Sequence, residues 1–190
     1  MSSDDPERNP WKTLSSREVY QNSWIRVRED QVIRPDGQPG IYGVVETRIA
    51  TGVVALTEGL EIYLVGQYRY PTSCYSWEII EGGSDIIEPP METAKRELRE
   101  EAGILAENWE QLGGELHLSN CYSSEIGYIY LAQGLTETER EPEGTEILQV
   151  KRLPLAEAIK LVDNGEIKDN ISIIGILRAE RILRTRGLFR

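Results

Sequence analysis

Residues 82–104 read GGSDIIEPPMETAKRELREEAGI, and the second half of that run decides the fold. The run predicts one helix from about Pro90 to Ala102, closed by Gly103, where a left-handed C-cap residue belongs. On that helix Glu97, Glu100 and Glu101 fall at i, i+3 and i+4, which places three carboxylates on one face. Ala94, Leu98 and Ala102 make a neighbouring small, apolar face suited to packing on a sheet. Like charges at this spacing repel by roughly a few tenths of a kcal/mol per pair, and Lys95, Arg96 and Arg99 are not expected to neutralise all of them. A divalent cation would do so. Three oxygen donors on a rigid helix, completed by phosphates and water, form the hard, partly hydrated site that Mg2+ or Mn2+ prefers. The bland reading of the same residues is a solvated charged face.

Working outward, residues 18–57 alternate in β fashion around the turn signal Asp36-Gly37 and predict two or three antiparallel strands, with another in EIYLVGQYRY (61–70). Residues 1–16 are polar and are expected to fray. Beyond the helix, strands are expected in ELHLSN (115–120) and GYIYLAQGL (127–135). An acidic loop, TETEREPEGTE (136–146), and a strand in ILQVKRLPL (147–155) follow. Two closing helices are expected in LAEAIKLVDNG (155–165), stopped by Gly165, and in SIIGILRAERILR (172–184). The order strand-rich, helix, strands, helices indicates an α+β fold with helices packed on a mixed sheet.

The chain has 190 residues, 39% of them hydrophobic, and 21 Lys+Arg against 32 Asp+Glu give a formal net charge of −11. That suits one domain with a small appendage and a real core. The acidic balance argues against nucleic acid as a partner, since such binders concentrate Lys and Arg. No apolar run approaches the ~20 residues of a membrane span, and the opening MSSDDPERNPW lacks the layout of a secretory signal, so a cytoplasmic protein is expected. Cys74 and Cys121 form no C-x-x-C and are read as reduced thiols; His117 is the single histidine. Any metal site must therefore rest on oxygen.

The spacing Gly82, five residues, Glu88, seven residues, Arg96-Glu97-Leu98, Glu100-Glu101, Gly103-Ile104 resembles the Nudix box, G-x5-E-x7-R-E-U-x-E-E-x-G-U with U a bulky aliphatic, at every specified position. At average composition an accidental match is on the order of one in ten million. QYRYPTSCYSWEIIEGG (67–83) resembles the segment entering the box in ADP-ribose and nucleoside-diphosphate-sugar pyrophosphatases, and a β-rich N-terminal extension is typical of that branch. The resemblance implies a Nudix fold, a mixed β-sheet sandwiched between helices, with an antiparallel N-terminal extension. It divides the chain into a dimerisation segment, 1–50, and a catalytic domain, 51–190. It implies Mg2+-dependent (or Mn2+-dependent) hydrolysis of ADP-ribose or a related nucleoside diphosphate sugar to a nucleoside monophosphate and a sugar phosphate.

Carried over by position, the resemblance makes Glu97 and Glu101 the main metal ligands, Glu100 a further or indirect one, and the backbone carbonyl of Glu81 the non-carboxylate ligand. Glu88 and Arg96 become the pair that orients loop and helix. The general base is expected in the acidic loop, Glu146 first and Glu143 second, with Glu100 as the fallback. Arg69, before Tyr70-Pro71, is placed on the substrate phosphates. Trp24 and Tyr42 stack on the base in a homodimer that exchanges its N-terminal segments. Members specific for ADP-ribose carry a Ser-Pro-Gly-like stretch after the box; here Ser119-Asn120-Cys121-Tyr122-Ser123-Ser124-Glu125 stands instead, which puts broad or nucleoside-diphosphate-sugar specificity level with strict ADP-ribose specificity and leaves Glu125 either a contact to ribose or metal-bound water or a surface residue. Alternatives are a nucleotide-sensing module, which would lose box carboxylates, and Nudix hydrolases of nucleoside triphosphates, dinucleoside polyphosphates or RNA caps.

Overall fold

Helix α1 (Pro90–Ala102) forms where the carboxylate run predicts it, with Pro90 at its first position and Gly103 closing it in the left-handed region at φ 65°. The computed structural model in which it lies describes residues 7–85, 87–141 and 147–189. These residues fall into two units: those up to Arg48 together with His117–Glu125, and Ile49–Leu116 together with the described residues from Ile126 onward.

The first unit is an antiparallel sheet of β1 (Lys12–Gln21), β2 (Ile25–Ile33) and β3 (Pro39–Thr47), in that order. The turn at Asp36-Gly37 joins β2 to β3, with Gly37 N donating to Arg34 O. Lys12–Ser16, expected to fray, are strand instead, because a polar strand can be held by its ladder and by opposite charges across it. Arg17 pairs with Glu29 and Arg26 with Glu18, each at 3.0 Å, and Arg26 and Arg28 both reach Glu46 on β3. The segment 117–125 joins this unit by hydrogen bonds from Val45 N to Tyr122 O and from Ser124 N to Val45 O.

In the second unit, β4 (Ala50–Ala55), β5 (Glu61–Arg69), β6 (Cys74–Glu78) and β7 (Ile80–Gly83) precede α1, and β8 (Ile104–Gln111) follows it directly. The chain leaves through β9 (Leu116–His117), returns in β10 (Ile126–Glu137), and ends with β11 (Gln149–Pro154), α2 (Leu155–Asp163) and α3 (Asn170–Thr185). One sheet has the order β7-β4-β10-β8, with β4 and β10 parallel and the outer pairs antiparallel; a second, antiparallel sheet has the order β11-β5-β6. The strand Ile104–Gln111 was not expected: ILAENWEQ alternates poorly, and its pairing with β10, from Leu105 opposite Thr136 to Gln111 opposite Tyr130, imposes the extended form. ELHLSN yields only the two residues of β9.

β4 is buried along almost its whole length, as a strand covered on both faces must be. On one face Val53, Ala55, Tyr130 and Ala132 pack with Ala94, Leu98 and Ala102 of α1. On the other, α3 comes so close that a Cβ on Gly175 would stand 2.9 Å from Ile79 and 3.2 Å from Val54. Among the described residues no helix is long and apolar enough to cross a membrane. Leu98 is fully buried at the α1–sheet contact. Leu98→Ala should therefore lower the unfolding free energy by about 2–5 kcal/mol, read as a reduced urea midpoint at unchanged slope.

Candidate active site

The periodicity of α1 delivers its carboxylates to one side while Ala94 and Leu98 hold the other on the sheet. Glu101 is almost fully buried at 2% exposure, and the side chains of Glu97 and Glu100 keep 14% and 19%. Arg96 stands among them. Its Nη1 donates to Glu97 Oε1 (2.7 Å) and Glu100 Oε2 (2.9 Å), its Nε and Nη2 reach the Glu88 carboxylate (3.3 and 3.1 Å), and Nη2 also donates to Gly83 O (3.3 Å). Arg96 thus serves two of the three helix-face carboxylates, Glu97 and Glu100, as well as Glu88. A planar guanidinium has donors enough to serve several carboxylates at once. Desolvation opposes the Arg96 charge, but the bonds and charges of Glu88, Glu97 and Glu100 prevail and raise its pKa. The Arg96 bond, aided by Thr93 Oγ1, holds the Glu88 carboxyl below its ordinary value against a smaller desolvation effect.

Strand β7, which precedes α1, is fitted to these groups. A Cβ on Gly82 would stand 2.1–2.3 Å from the Glu97 carboxyl and Cγ, so only glycine lets that side chain lie against the backbone. Thr51 Oγ1 donates to Gly82 O (3.2 Å), and Glu101 Oε2 accepts a long bond from Glu81 N (3.4 Å). Glu97, Glu101 and the Glu81–Gly82 backbone are therefore together. The Glu81 side chain is tied to α3, where its Oε1 accepts from Ser172 Oγ (2.7 Å), which itself accepts from Ile79 N (3.0 Å). Glu81 keeps part of its surface exposed, yet desolvation of its carboxyl, then the neighbouring Asp169 and Glu78, push its pKa well above the usual carboxylate range; the Ser172 bond opposes them.

Arg69 makes a forked pair with the buried Glu78: Nε donates to both carboxylate oxygens (3.1 and 3.0 Å) and Nη2 to Oε2. Trp24, Tyr42 and Glu125 belong to the first unit. Trp24 is 70% exposed in the turn before β2, while Tyr42 meets Trp11 edge-on at 5.2 Å and donates to Cys121 O (2.8 Å). Glu125 N donates to Ser123 Oγ. Glu143 and Glu146 lie outside the described residues.

Among the described residues no group of three or more His, Cys, Asp or Glu side chains is arranged to hold a metal ion by itself. Arg96 Nη1 lies between Glu97 and Glu100. The donor chemistry nevertheless fits a hard divalent cation, being oxygen throughout: Glu97, Glu100, Glu101 and a nearby backbone carbonyl.

Residues 46–172 match the family model described as the NUDIX domain. The chain belongs to the NUDIX family. Residues 11–45 match a second model, the nucleoside diphosphate sugar hydrolase N-terminal domain. The chain is 35% identical over 175 residues to a protein named ADP-ribose pyrophosphatase from Mycobacterium tuberculosis (strain ATCC 25618 / H37Rv), covering 90% of this chain and 84% of that one. It is 30% identical over 167 residues to a methanol dehydrogenase activator of Bacillus methanolicus, covering 87% and 90%. A solved structure described as an ADP compounds hydrolase has the same fold, with TM-score 0.83, 24% identity and 94% and 96% coverage. NUDIX hydrolases generally use divalent metal ions.

Several supports of this candidate site leave no pattern in the sequence. Thr93 Oγ1 holds Glu88 and reaches Ser84, Thr51 holds Gly82, and Ser172 holds Glu81. One local signal was available: Asp169 and Ser172 form an N-cap pattern, with Asp169 Oδ2 accepting from Ser172 N (2.7 Å), and the helix begins at Asn170 rather than Ser172. Because the folded-state pKa of Glu88 is depressed, its ionised form favours the fold at pH above the ordinary glutamate value, and this stabilisation is lost as pH falls through the lower folded value. Glu88→Gln should lower Tm at pH 7 and shrink the fall in Tm between pH 7 and acid, measured by calorimetry.

Proposed function

We propose that this NUDIX protein is a divalent-metal-dependent pyrophosphohydrolase that splits ADP-ribose or a related nucleoside diphosphate sugar into a nucleoside monophosphate and a sugar phosphate. The observation that carries the reading is the gathering of Glu97 and Glu101 against the Glu81–Gly82 backbone. The match to a nucleoside diphosphate sugar hydrolase N-terminal domain and the similarity to a protein named ADP-ribose pyrophosphatase support the substrate class.

In this reading Glu97, Glu101 and the Glu81 carbonyl hold Mg2+ or Mn2+, with Glu100 as a further ligand. When bound, such a cation neutralises phosphate charge and lowers the pKa of a coordinated water. Glu88 fixes one side of the Arg96 fork, so that Glu97 and Glu100 can exchange their bonds to Arg96 for a cation without the loop losing its anchor. A glutamate of the acidic loop, Glu146 before Glu143 and then Glu100, accepts the proton of the attacking water. Arg69, oriented by its fork with Glu78, faces the diphosphate, and Glu125 contacts ribose or the metal's water. The enzyme acts in the cytoplasm.

Residues 1–50 serve as the dimerisation extension of a homodimer and 51–190 as the catalytic domain. Tyr42 lies opposite Asp30 in the β2–β3 register, and Trp24 stands six residues before Asp30. At ~3.3 Å per residue six strand residues span ~20 Å, so the two backbone positions are set too far apart along the sheet for one base to be sandwiched within a chain. Two copies related by a two-fold axis can supply the pair.

Two outcomes follow. Glu101→Gln should lower kcat by ~100-fold or more with the far-UV spectrum and Tm retained, and a chelator should abolish turnover that Mg2+ or Mn2+ restores; near-parental turnover of the variant overturns the metal assignment. Trp24→Ala should raise KM about tenfold with little change in kcat, across a panel of ADP-ribose, GDP-mannose, UDP-glucose, NADH and dGTP, while light scattering reports two chains. A fully active monomer, or unchanged KM on the best substrate, rejects the shared site.

A further inference from the structure

A helix ends with unpaired carbonyls, and the way those of α1 are satisfied singles out Arg140. The closing residue Gly103 donates its N–H toward the carbonyls of Leu98 and Arg99. The next two are taken by the chain that follows β10: Glu141 N donates to Glu100 O (3.2 Å) and Arg140 Nε to Glu101 O (2.9 Å). Thr138 N adds a bond to Gly103 O (2.7 Å). The same guanidinium reaches Leu148 O through Nη2 (3.3 Å), on the chain about to enter β11. Its aliphatic stem uses the space that the box glycine leaves, since a Cβ on Gly103 would lie 2.6 Å from Arg140 Cγ and 2.7 Å from Thr138 O.

One side chain therefore joins three points: the last turn of the carboxylate helix, the chain entering the acidic segment at residue 140, and the chain leaving it at residue 148. The helix carbonyl it grips belongs to Glu101, whose carboxylate lies beside the Glu81–Gly82 backbone. A planar fork that donates in two directions suits this task, and its charge is favourable at a helix C-terminus, where Arg99 also stands and reaches Glu141 at 3.5 Å.

We propose that Arg140 is a positioning residue for hydrolysis: it fastens both ends of the acidic segment to the last turn of α1, so that the turnover step depends on it while metal and substrate binding do not. The inference rests on the reading of α1 as the metal helix and of the acidic segment as the source of the base, and its test separates the two.

Full-length Arg140→Ala and Arg140→Lys are compared with the parent in kcat and KM for ADP-ribose with Mg2+, in Mn2+ affinity by calorimetry, and in amide hydrogen exchange of the metal-free protein. Misplacement of reacting groups is costly, so Arg140→Ala should lose ~10-fold or more in kcat, with KM and the Mn2+ Kd within ~2-fold of the parent. Arg140→Lys should recover part of the loss, and millimolar guanidinium should restore ~3-fold or more to the alanine variant, a rescue that a general packing defect does not give. In the metal-free variant the Glu141 amide should exchange ~10-fold faster while the amides of β10 keep their rates. Parental kcat, a parallel loss of Mn2+ affinity, or faster exchange throughout β10 overturns the proposal. If a Glu143→Gln/Glu146→Gln double variant keeps full kcat while Arg140→Ala does not, the assignment of the base fails and the positioning role stands.

Discussion

The structure depends on one guanidinium among carboxylates. Arg96 bonds Glu88, Glu97, Glu100 and the Gly83 carbonyl, and so joins the end of β7 and the loop after it to the carboxylate face of α1. Without it, one helix face would present like charges with no counter-charge in the middle of them. Lysine could not replace it, because a single ammonium lacks the fork that grips Glu88 through two nitrogens while reaching Glu97 and Glu100. The pair raises one pKa and lowers the other, as mutual stabilisation of two charged forms requires.

Around that fork the sheet acts as a spacer of fixed thickness. β4 is covered on both faces, by α1 through Leu98 and by α3 through the close approach at Gly175, so displacement of either helix is felt at the strand between them. The site draws on both sides of this sandwich. Thr51 holds the Gly82 carbonyl from within β4, and Ser172 reaches Glu81 and Ile79 from α3. Glu81 thus offers its backbone to one helix and its side chain to the other.

The first unit is built on a different balance. Val32 is the one buried apolar residue among its described members, and the sheet is held by its ladders and by cross-strand ion pairs such as Arg17–Glu29 and Arg28–Glu46. Pairs that keep solvent contact, as Arg17–Glu29 does, contribute little each, typically less than ~1 kcal/mol. Asp30 is the buried charge of this sheet; the neighbouring Ser16 first, and then Arg28, hold its pKa below the ordinary value against desolvation.

Local chemistry alone determined much of this protein. The span of α1, its proline entry, its Gly103 exit and the shared face of Glu97, Glu100 and Glu101 all follow from rules that act within four residues, as does the turn at Asp36-Gly37. The tertiary structure decided the rest, because the interactions concerned join residues far apart in sequence. β8 is extended because β10 pairs with it, against a sequence that alternates poorly. β1 is ordered because charges on β2 meet it, and 117–125 joins the first unit because Val45 offers it a ladder. That Arg69 is forked to Glu78, that Glu81 is bonded to a serine 91 residues away, and that Arg140 closes the end of α1 could not be read from spacing. A hydrogen bond across the fold leaves no period in the sequence, only residue types that many positions share.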